Sequence, residues 1–215
     1  MYAQVCIRPD IAFTVGMLGR YQSYPGIDHW RAAKKMMRYL QGTKDYMLMY
    51  RQTNNLNVIG YSDSDFAGCV DSCKSTSGYI FMMAGGVILW MSVKQTLTAT
   101  SIMEAEFVSC FKATSHGVWL KSFIFVLKIV DTVLRPLRIF CDNLVVIFMA
   151  KNNKSESQSK HINIKYLAIR ERVKDKKVVI EYISTKLMIV DPLTKGMSLF
   201  KFKDHVERMR LGSTL

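Results

Sequence analysis

The sequence predicts a mixed α/β fold, and three observations carry that reading. Two short apolar runs, Gly78 to Met83 and Val87 to Met91, flank Ala84, Gly85 and Gly86 with the spacing of a β-hairpin. A long stretch from about Ser101 to Leu127 then repeats apolar residues at helical intervals, placing Met103, Phe107, Cys110, Phe111, Thr114 and Val118 on one stripe. Beyond it, the chain returns to a strand at Leu137 to Asp142, a short helix at Asn143 to Ala150, a basic helix from His161 to about Lys174 and a strand at Val178 to Ile183. Strands in a block, followed by helices and strands in alternation, are the order of a mixed sheet with helices packed on it.

The remaining elements fit around that frame. Ile11 to Tyr21 reads as a helix that stops before the turn residues Pro25 and Gly26, and Asp28 is placed to cap a second helix ending at Gly42. In the second helix Trp30, Ala33, Met37 and Leu40 form an apolar stripe. Arg31, Lys34, Lys35 and Arg38 recur on another side, a cationic face suited either to solvent or to a phosphate backbone. Tyr46 to Tyr50 and Val58 to Asp63 read as strands, Asn152 to Ser159 as a polar loop, and the residues after Asp191 as helical turns.

Composition bounds the function. With 215 residues and 49% hydrophobic content, the chain is long enough for one cored domain plus an appended segment. A formal charge of +13 gives it a field that collects polyanions, nucleic acid among them, although charge alone does not choose the polyanion. Five cysteines without a secretory leader argue for reduced thiols, and Cys69 and Cys73 alone have a ligand-like spacing. No second Cys or His pair follows at zinc-finger distance, which argues against a structural zinc. The most apolar stretch, Trp119 to Val130, is broken by Lys121 and Lys128 and is too short to span a membrane, so a soluble protein is expected.

Four acids stand out. Asp63 ends an apolar strand, Asp142 repeats that arrangement before Asn143 and a helix, and Asp191 precedes Pro192. Each has an ordinary explanation as turn or helix-cap chemistry. Glu106 resists it, lying inside the long helix beside the apolar stripe, but Glu104 flanks the stripe on the other side and periodicity does not decide which acid turns inward. If such acids converge, their like charges repel unless a cation compensates them. Magnesium suits this best, taking a few carboxylates and keeping waters and phosphate oxygens as its other ligands. Two such ions about 3.5 to 4 Å apart support phosphodiester cleavage.

Several ordered motifs around these acids resemble one family: the ribonuclease H domain that ends the Pol polyprotein of copia-type retrotransposons, plant elements in particular. They are Gly60-Tyr61-Ser62-Asp63-Ser64-Asp65-Phe66-Ala67-Gly68, Lys74-Ser75-Thr76-Ser77-Gly78-Tyr79, Glu104-Ala105-Glu106-Phe107, Cys141-Asp142-Asn143, Lys160-His161-Ile162 and Asp191-Pro192-Leu193-Thr194-Lys195. Arg8-Pro9-Asp10-Ile11 and Arg38-Tyr39-Leu40-Gln41-Gly42-Thr43 resemble the end of the preceding reverse transcriptase region, so the likeness covers nearly the whole chain.

The resemblance implies a ribonuclease H-like five-stranded mixed sheet flanked by helices, with a short helical N-terminal extension. It implies three segments: 1–52 as the tail of the reverse transcriptase region, 53–197 as the ribonuclease H-like domain and 198–215 as a C-terminal helical tail. It makes Asp63, Glu106, Asp142 and Asp191 the catalytic acids that hold two Mg2+ ions, with Mn2+ as an alternate, and leaves Glu104 outside the set. The implied substrate is the RNA strand of an RNA:DNA hybrid, told apart by its 2′-hydroxyls and groove shape. Lys34, Lys35, Arg38, Lys160, Lys165, Arg170, Arg172 and Lys174 become the expected phosphate contacts. The reverse transcriptase region of the same polyprotein is the expected partner, with no membrane, and the expected location is the cytoplasmic virus-like particle, with the nucleus as an alternate.

Some features depart from the pattern. Cellular ribonucleases of this fold carry a histidine in the loop after the last strand, whereas Ser184-Thr185-Lys186-Leu187-Met188 has none. The paired aspartates of a polymerase are absent, and Met1 falls where the family continues upstream, so the chain reads as a piece of a longer element. Cys73 stands where an arginine is usual, and Ser184 where a proline is common. The alternative expectation is therefore an inactive remnant that retains only nucleic-acid binding.

Overall fold

A computed structural model describes residues 2–128, 135–151 and 160–213. The expected Asn152 to Ser159 loop lies outside the described residues. In chain order the elements are α1 (Tyr2–Cys6), α2 (Ala12–Gly19), α3 (Ile27–Gly42), β1 (Met47–Leu48), β2 (Ile59–Ser64), β3 (Thr76–Met83), β4 (Gly86–Lys94), α4 (Ile102–Val126), β5 (Leu137–Cys141), α5 (Leu144–Lys151), α6 (Lys160–Lys174), β6 (Val178–Tyr182), α7 (Leu199–Arg208) and β7 (Leu211–Gly212), with short 3₁₀ turns at Pro9–Ile11, Thr185–Leu187 and Asp191–Leu193. Among the described residues no helix is long and apolar enough to cross a membrane.

Five strands form one mixed sheet in the order β4-β3-β2-β5-β6. The β2, β3 and β4 strands pair antiparallel, while β5 pairs parallel to both β2 and β6. Ala84 and Gly85 close the β3–β4 hairpin with φ of 53° and 76°. Two positive-φ residues between paired Met83 and Gly86 match the twist of the flanking strands. Parallel neighbours need a crossover, and α4 supplies it between β4 and β5. This is the five-stranded mixed sheet flanked by helices that the sequence led us to expect.

Side-chain alternation along β3 shows why the sheet is covered on both faces. Tyr79 and Phe81 point to a core with Phe107, Cys110 and Ala113 of α4, Ile139 of β5, Tyr166 and Ile169 of α6 and Ile180 of β6. Ile80 and Met82 point the other way, to a second core with Ala12, Val87, Trp90, Met188, Ile189, Val190, Leu193 and Met209. The second core draws on segments before and after the sheet, and β1 ties them together by pairing antiparallel with β7.

The N-terminal helices are tied to one another by a buried polar cluster, and Ala12 of α2 packs in the second core. Arg8 and Asp10 form a bidentate pair, Nη2 to Oδ2 at 2.7 Å and Nε to Oδ1 at 3.0 Å. Tyr39 of α3 donates to Asp10 at 2.6 Å, and Arg8 donates to both the carbonyl and the hydroxyl of Thr43. The two N-terminal motifs of the sequence thus meet side by side. Trp90 Nε1 also donates to the Gln4 carbonyl at 2.7 Å.

Several local expectations need correction. Gly26, not Asp28, caps α3, because the helix begins at Ile27; Asp28 sits in the first turn and pairs with Arg31 at 3.2 Å. The α3 apolar stripe is not a buried seam, since Trp30 and Met37 are 58% and 62% exposed. The expected strand Tyr46 to Tyr50 narrows to the two residues of β1, for it has only β7 to pair with.

Candidate active site

The topology carries Asp63 and Asp142 to one end of the sheet, for β2 and β5 run parallel and each acid lies at or just past the C-terminal end of its strand. The crevice beyond strand ends in such sheets is where α/β proteins bind ligands. Glu106 reaches the same place from α4, and Asp191 from the turn Asp191–Leu193.

None of the cap explanations describes these acids. Asn143 caps α5, its Oδ1 accepting from the amides of Val145 and Val146, so Asp142 is free of that duty. Asp191 is the first residue of its turn, and Val190 holds the cap position without a side-chain bond. Asp63 lies within β2 opposite Gly78. The undecided choice between the two glutamates also has a local cause. Ser101 caps α4 by accepting from the Glu104 amide, and Glu104 Oε2 reaches back to the Thr100 amide at 2.8 Å and its hydroxyl at 2.7 Å. Glu104 is thereby held by the helix start. Glu106 is 5% exposed, and its Oε2 has no hydrogen-bond partner among the described residues.

Supporting groups fix the acids in place. The Thr194 hydroxyl donates to Asp63 Oδ2 and also lies 3.1 Å from the Asp191 carbonyl, bridging the strand to the Asp191 turn. Thr185 donates to Asp142 Oδ2 at 2.9 Å from the loop after the last strand of the five-stranded sheet. Ser109 of α4 donates to the Asp63 carbonyl at 2.7 Å, tying helix to strand below the acids. Gly78 makes the approach feasible. A Cβ at this position would come within 2.5 Å of Thr194 Cγ2, so only a bare backbone lets the Asp191 turn lie against β3 beside Asp63.

The electrostatics follow from crowding. Burial raises the Glu106 carboxyl well above the ordinary range, and the charges of Asp63 and Asp142 add to it. Burial also pushes Asp191 up to about 6, with Asp63 and Asp142 contributing and Lys195 opposing. Lys195 Nζ lies 3.2 Å from Asp191 Oδ1 and 3.6 Å from Asp63 Oδ2. Ligand atoms of Glu106, Cys141 and Asp142 lie within 4.8 Å of one another. Burial, with Cys110 and Glu106 nearby, raises the Cys141 thiol well above its usual value, so it stays protonated and is a poor ligand beside two carboxylates.

The cationic residues divide. Lys34, Lys35 and Arg38 are exposed on α3, where Lys34 Nζ lies 5.2 Å from the Trp30 ring centroid. On α6, Arg172 donates to Ser115 of α4 at 2.9 Å and Lys165 lies over the Phe111 ring, so both are engaged with α4. Arg170 and Lys174 line a cavity of about 500 Å³ with Lys151 and Glu171. The Lys160 side chain lies outside the described residues. Sequence reasoning passed over Thr185, Thr194 and Lys195 as working parts. The last two were signalled by their positions three and four residues after Asp191, on the same side of a helical turn.

The Pol polyprotein of transposon TNT 1-94 from Nicotiana tabacum is 37% identical over 203 residues, covering 94% of this chain and 15% of its own length. That of transposon RE2 from Arabidopsis thaliana is 35% identical over 197 residues, covering 92% and 13%. The chain belongs to the copia-type retrotransposon Pol family. It spans 13–15% of the length of these Pol relatives. A protein named secreted RxLR effector protein 161, from Plasmopara viticola, is 44% identical over 120 residues, 84% of its length but 56% of this Pol-family chain. No protein-family model matches. A crystal structure of LC11-RNase H1 in complex with RNA/DNA hybrid aligns with 64% of this chain and 94% of its own at 15% identity, with a TM-score of 0.47.

Proposed function

We propose that this Pol-family chain is a metal-dependent endonuclease that cuts the RNA strand of RNA:DNA hybrids during retrotransposon reverse transcription. The observation that carries the reading is the convergence of four buried or half-buried acids at one sheet end, one of which, Glu106, keeps a buried carboxyl oxygen without a partner. A cluster of this kind is an expensive arrangement unless a cation completes it.

The donor set fits hard divalent ions. Asp63, Glu106, Asp142 and Asp191 would hold two Mg2+ ions, or Mn2+, and all four offer oxygen. When bound, such ions supply an activated water and charge stabilisation for the leaving oxygen. The protein's own contribution is positional. Thr194 and Thr185 hold Asp63 and Asp142 by one oxygen each, which fixes the orientation of both carboxylates. Exposed Lys34, Lys35, Arg38 and Lys174 would take phosphates of the hybrid, giving salt-dependent affinity that ignores base sequence. Lys165 and Arg172 would contribute less, being engaged with α4.

The division into segments 1–52, 53–197 and 198–215 is kept as a division of labour: the middle segment carries the four acids, and the flanks brace the sheet face behind Asp191. In an intact element the neighbouring reverse transcriptase region would deliver the hybrid inside a cytoplasmic virus-like particle. Cleavage of a labelled RNA:DNA hybrid with Mg2+, beside Asp142→Asn, tests the activity. Cutting by the unaltered chain that the variant loses is expected. Equal cutting by both removes the site, and hybrid binding without cutting in the unaltered chain would establish an inactive remnant.

A further inference from the structure

Among the described residues, Lys195 is placed unlike any other cation. It pairs with two of the four acids at once, and among the described residues no other lysine or arginine makes an ion pair with Asp63, Glu106, Asp142 or Asp191. Its delivery is built into the backbone: the Lys195 amide donates to the Asp191 carbonyl at 3.1 Å, so one helical turn carries both the acid and its counter-charge. The partners differ in freedom. The Asp63 and Asp191 side chains are 3% and 12% exposed, whereas that of Lys195 is 41% exposed. The lysine is the movable member of the trio, and an ammonium on a four-carbon stem hydrates readily when it leaves. Beside it opens a cavity of about 280 Å³, lined also by Ser198, Lys201 and His205.

We propose that Lys195 is an internal counter-ion for Asp63 and Asp191 that a divalent metal ion has to displace, so that this lysine sets the metal affinity of the site. The inference rests on the metal-site reading above. A carboxylate oxygen that faces the ammonium is not free to ligate, and a divalent ion next to Lys195 is repelled by it. The lysine therefore holds the acids together without metal and weakens metal binding, which keeps the site responsive to ion concentration rather than saturated. Lys195 acts through the acids, as a positioning residue.

Mn2+ titration followed by calorimetry and by electron paramagnetic resonance tests this on the full chain, with no substrate present. Lys195→Met is expected to bind Mn2+ about tenfold more tightly, a modest factor because the lysine is partly screened by solvent. It should also melt at a lower temperature than the unaltered chain when no metal is present. Lys195→Arg, which keeps the charge, should bind Mn2+ no more tightly than the unaltered chain. Lys195→Gln, with a polar side chain of similar reach, should tighten binding in the same direction as Lys195→Met if the latter folds poorly. Unchanged or weaker Mn2+ binding in both neutral variants, with binding in the unaltered chain abolished by Asp63→Asn, overturns the role of Lys195 and leaves the metal site standing. Mn2+ binding that Asp63→Asn does not diminish overturns the metal-site reading and this inference with it.

Discussion

Two buried charged clusters stand out among the described residues, and they are built on opposite plans. The Arg8–Asp10 cluster is closed: guanidinium meets carboxylate in bidentate fashion, and Tyr39 and Thr43 use what is left. The cluster of Asp63, Glu106, Asp142 and Asp191 is open: one lysine pairs with two of the four acids, and a Glu106 oxygen has no partner among the described residues. Burial of charge is tolerated in the first because each guanidinium nitrogen of Arg8 has an acceptor and both Asp10 oxygens have donors. The second keeps its repulsion, and the difference separates a brace from a site meant to receive something.

Removing one charge from each cluster should therefore act in opposite directions on stability. Arg8→Met leaves Asp10 buried without its cation and should lower stability by about 3–5 kcal/mol, measured by urea unfolding. A loss under 1 kcal/mol would show that the brace is not one. Glu106→Gln should cut hybrid cleavage at least about 100-fold, equivalent to ~2.7 kcal/mol, while the metal-free protein unfolds at the same or higher urea concentration. If Glu106→Gln destabilises as much as Arg8→Met, the contrast between the clusters fails.

Gly78→Ala probes how the open cluster is assembled. Its new methyl meets Thr194, so the turn bearing Asp191 must move off β3. A stability loss of about 1–3 kcal/mol is expected, with a drop in cleavage that stability alone does not explain. Full activity at unchanged melting temperature would show that the close contact is not required.

The smallest effect is a pH dependence. Asp191 titrates near 6 in the folded protein, above the value for an exposed aspartate, so the folded state holds the proton more tightly than the unfolded chain. Its contribution is present below the unfolded value and is lost as pH rises through about 6. Metal-free stability should fall by roughly 1–2 kcal/mol between pH 4 and pH 7 from this group, a slope that Asp191→Asn flattens. Mg2+ should raise the melting temperature more at pH 7.5 than at pH 5.

Much of this was legible without coordinates. The hairpin signalled itself through Ala84 and Gly85, the long helix through its stripe, and the four acids through ordered motifs. Glu104 against Glu106 was not legible by periodicity, because both flank the same stripe. The capping contact of Glu104 with Thr100 separates them, and that is a matter of side-chain geometry at the helix start. The exposed α3 stripe misled for the converse reason: an amphipathic pattern says which face is apolar, not whether anything covers it.

Local pattern, then, determined most of the strands and helices, since propensity, periodicity and turn chemistry act over a few residues, whereas the choice of the four acids came from ordered motifs and the family they resemble. Tertiary structure alone decided that Arg8 and Tyr39 share Asp10, that the flanking segments close the second face of the sheet, and that Lys195 stands between Asp63 and Asp191. Those contacts join residues distant along the chain, and their existence depends on which surfaces the sheet brings within reach.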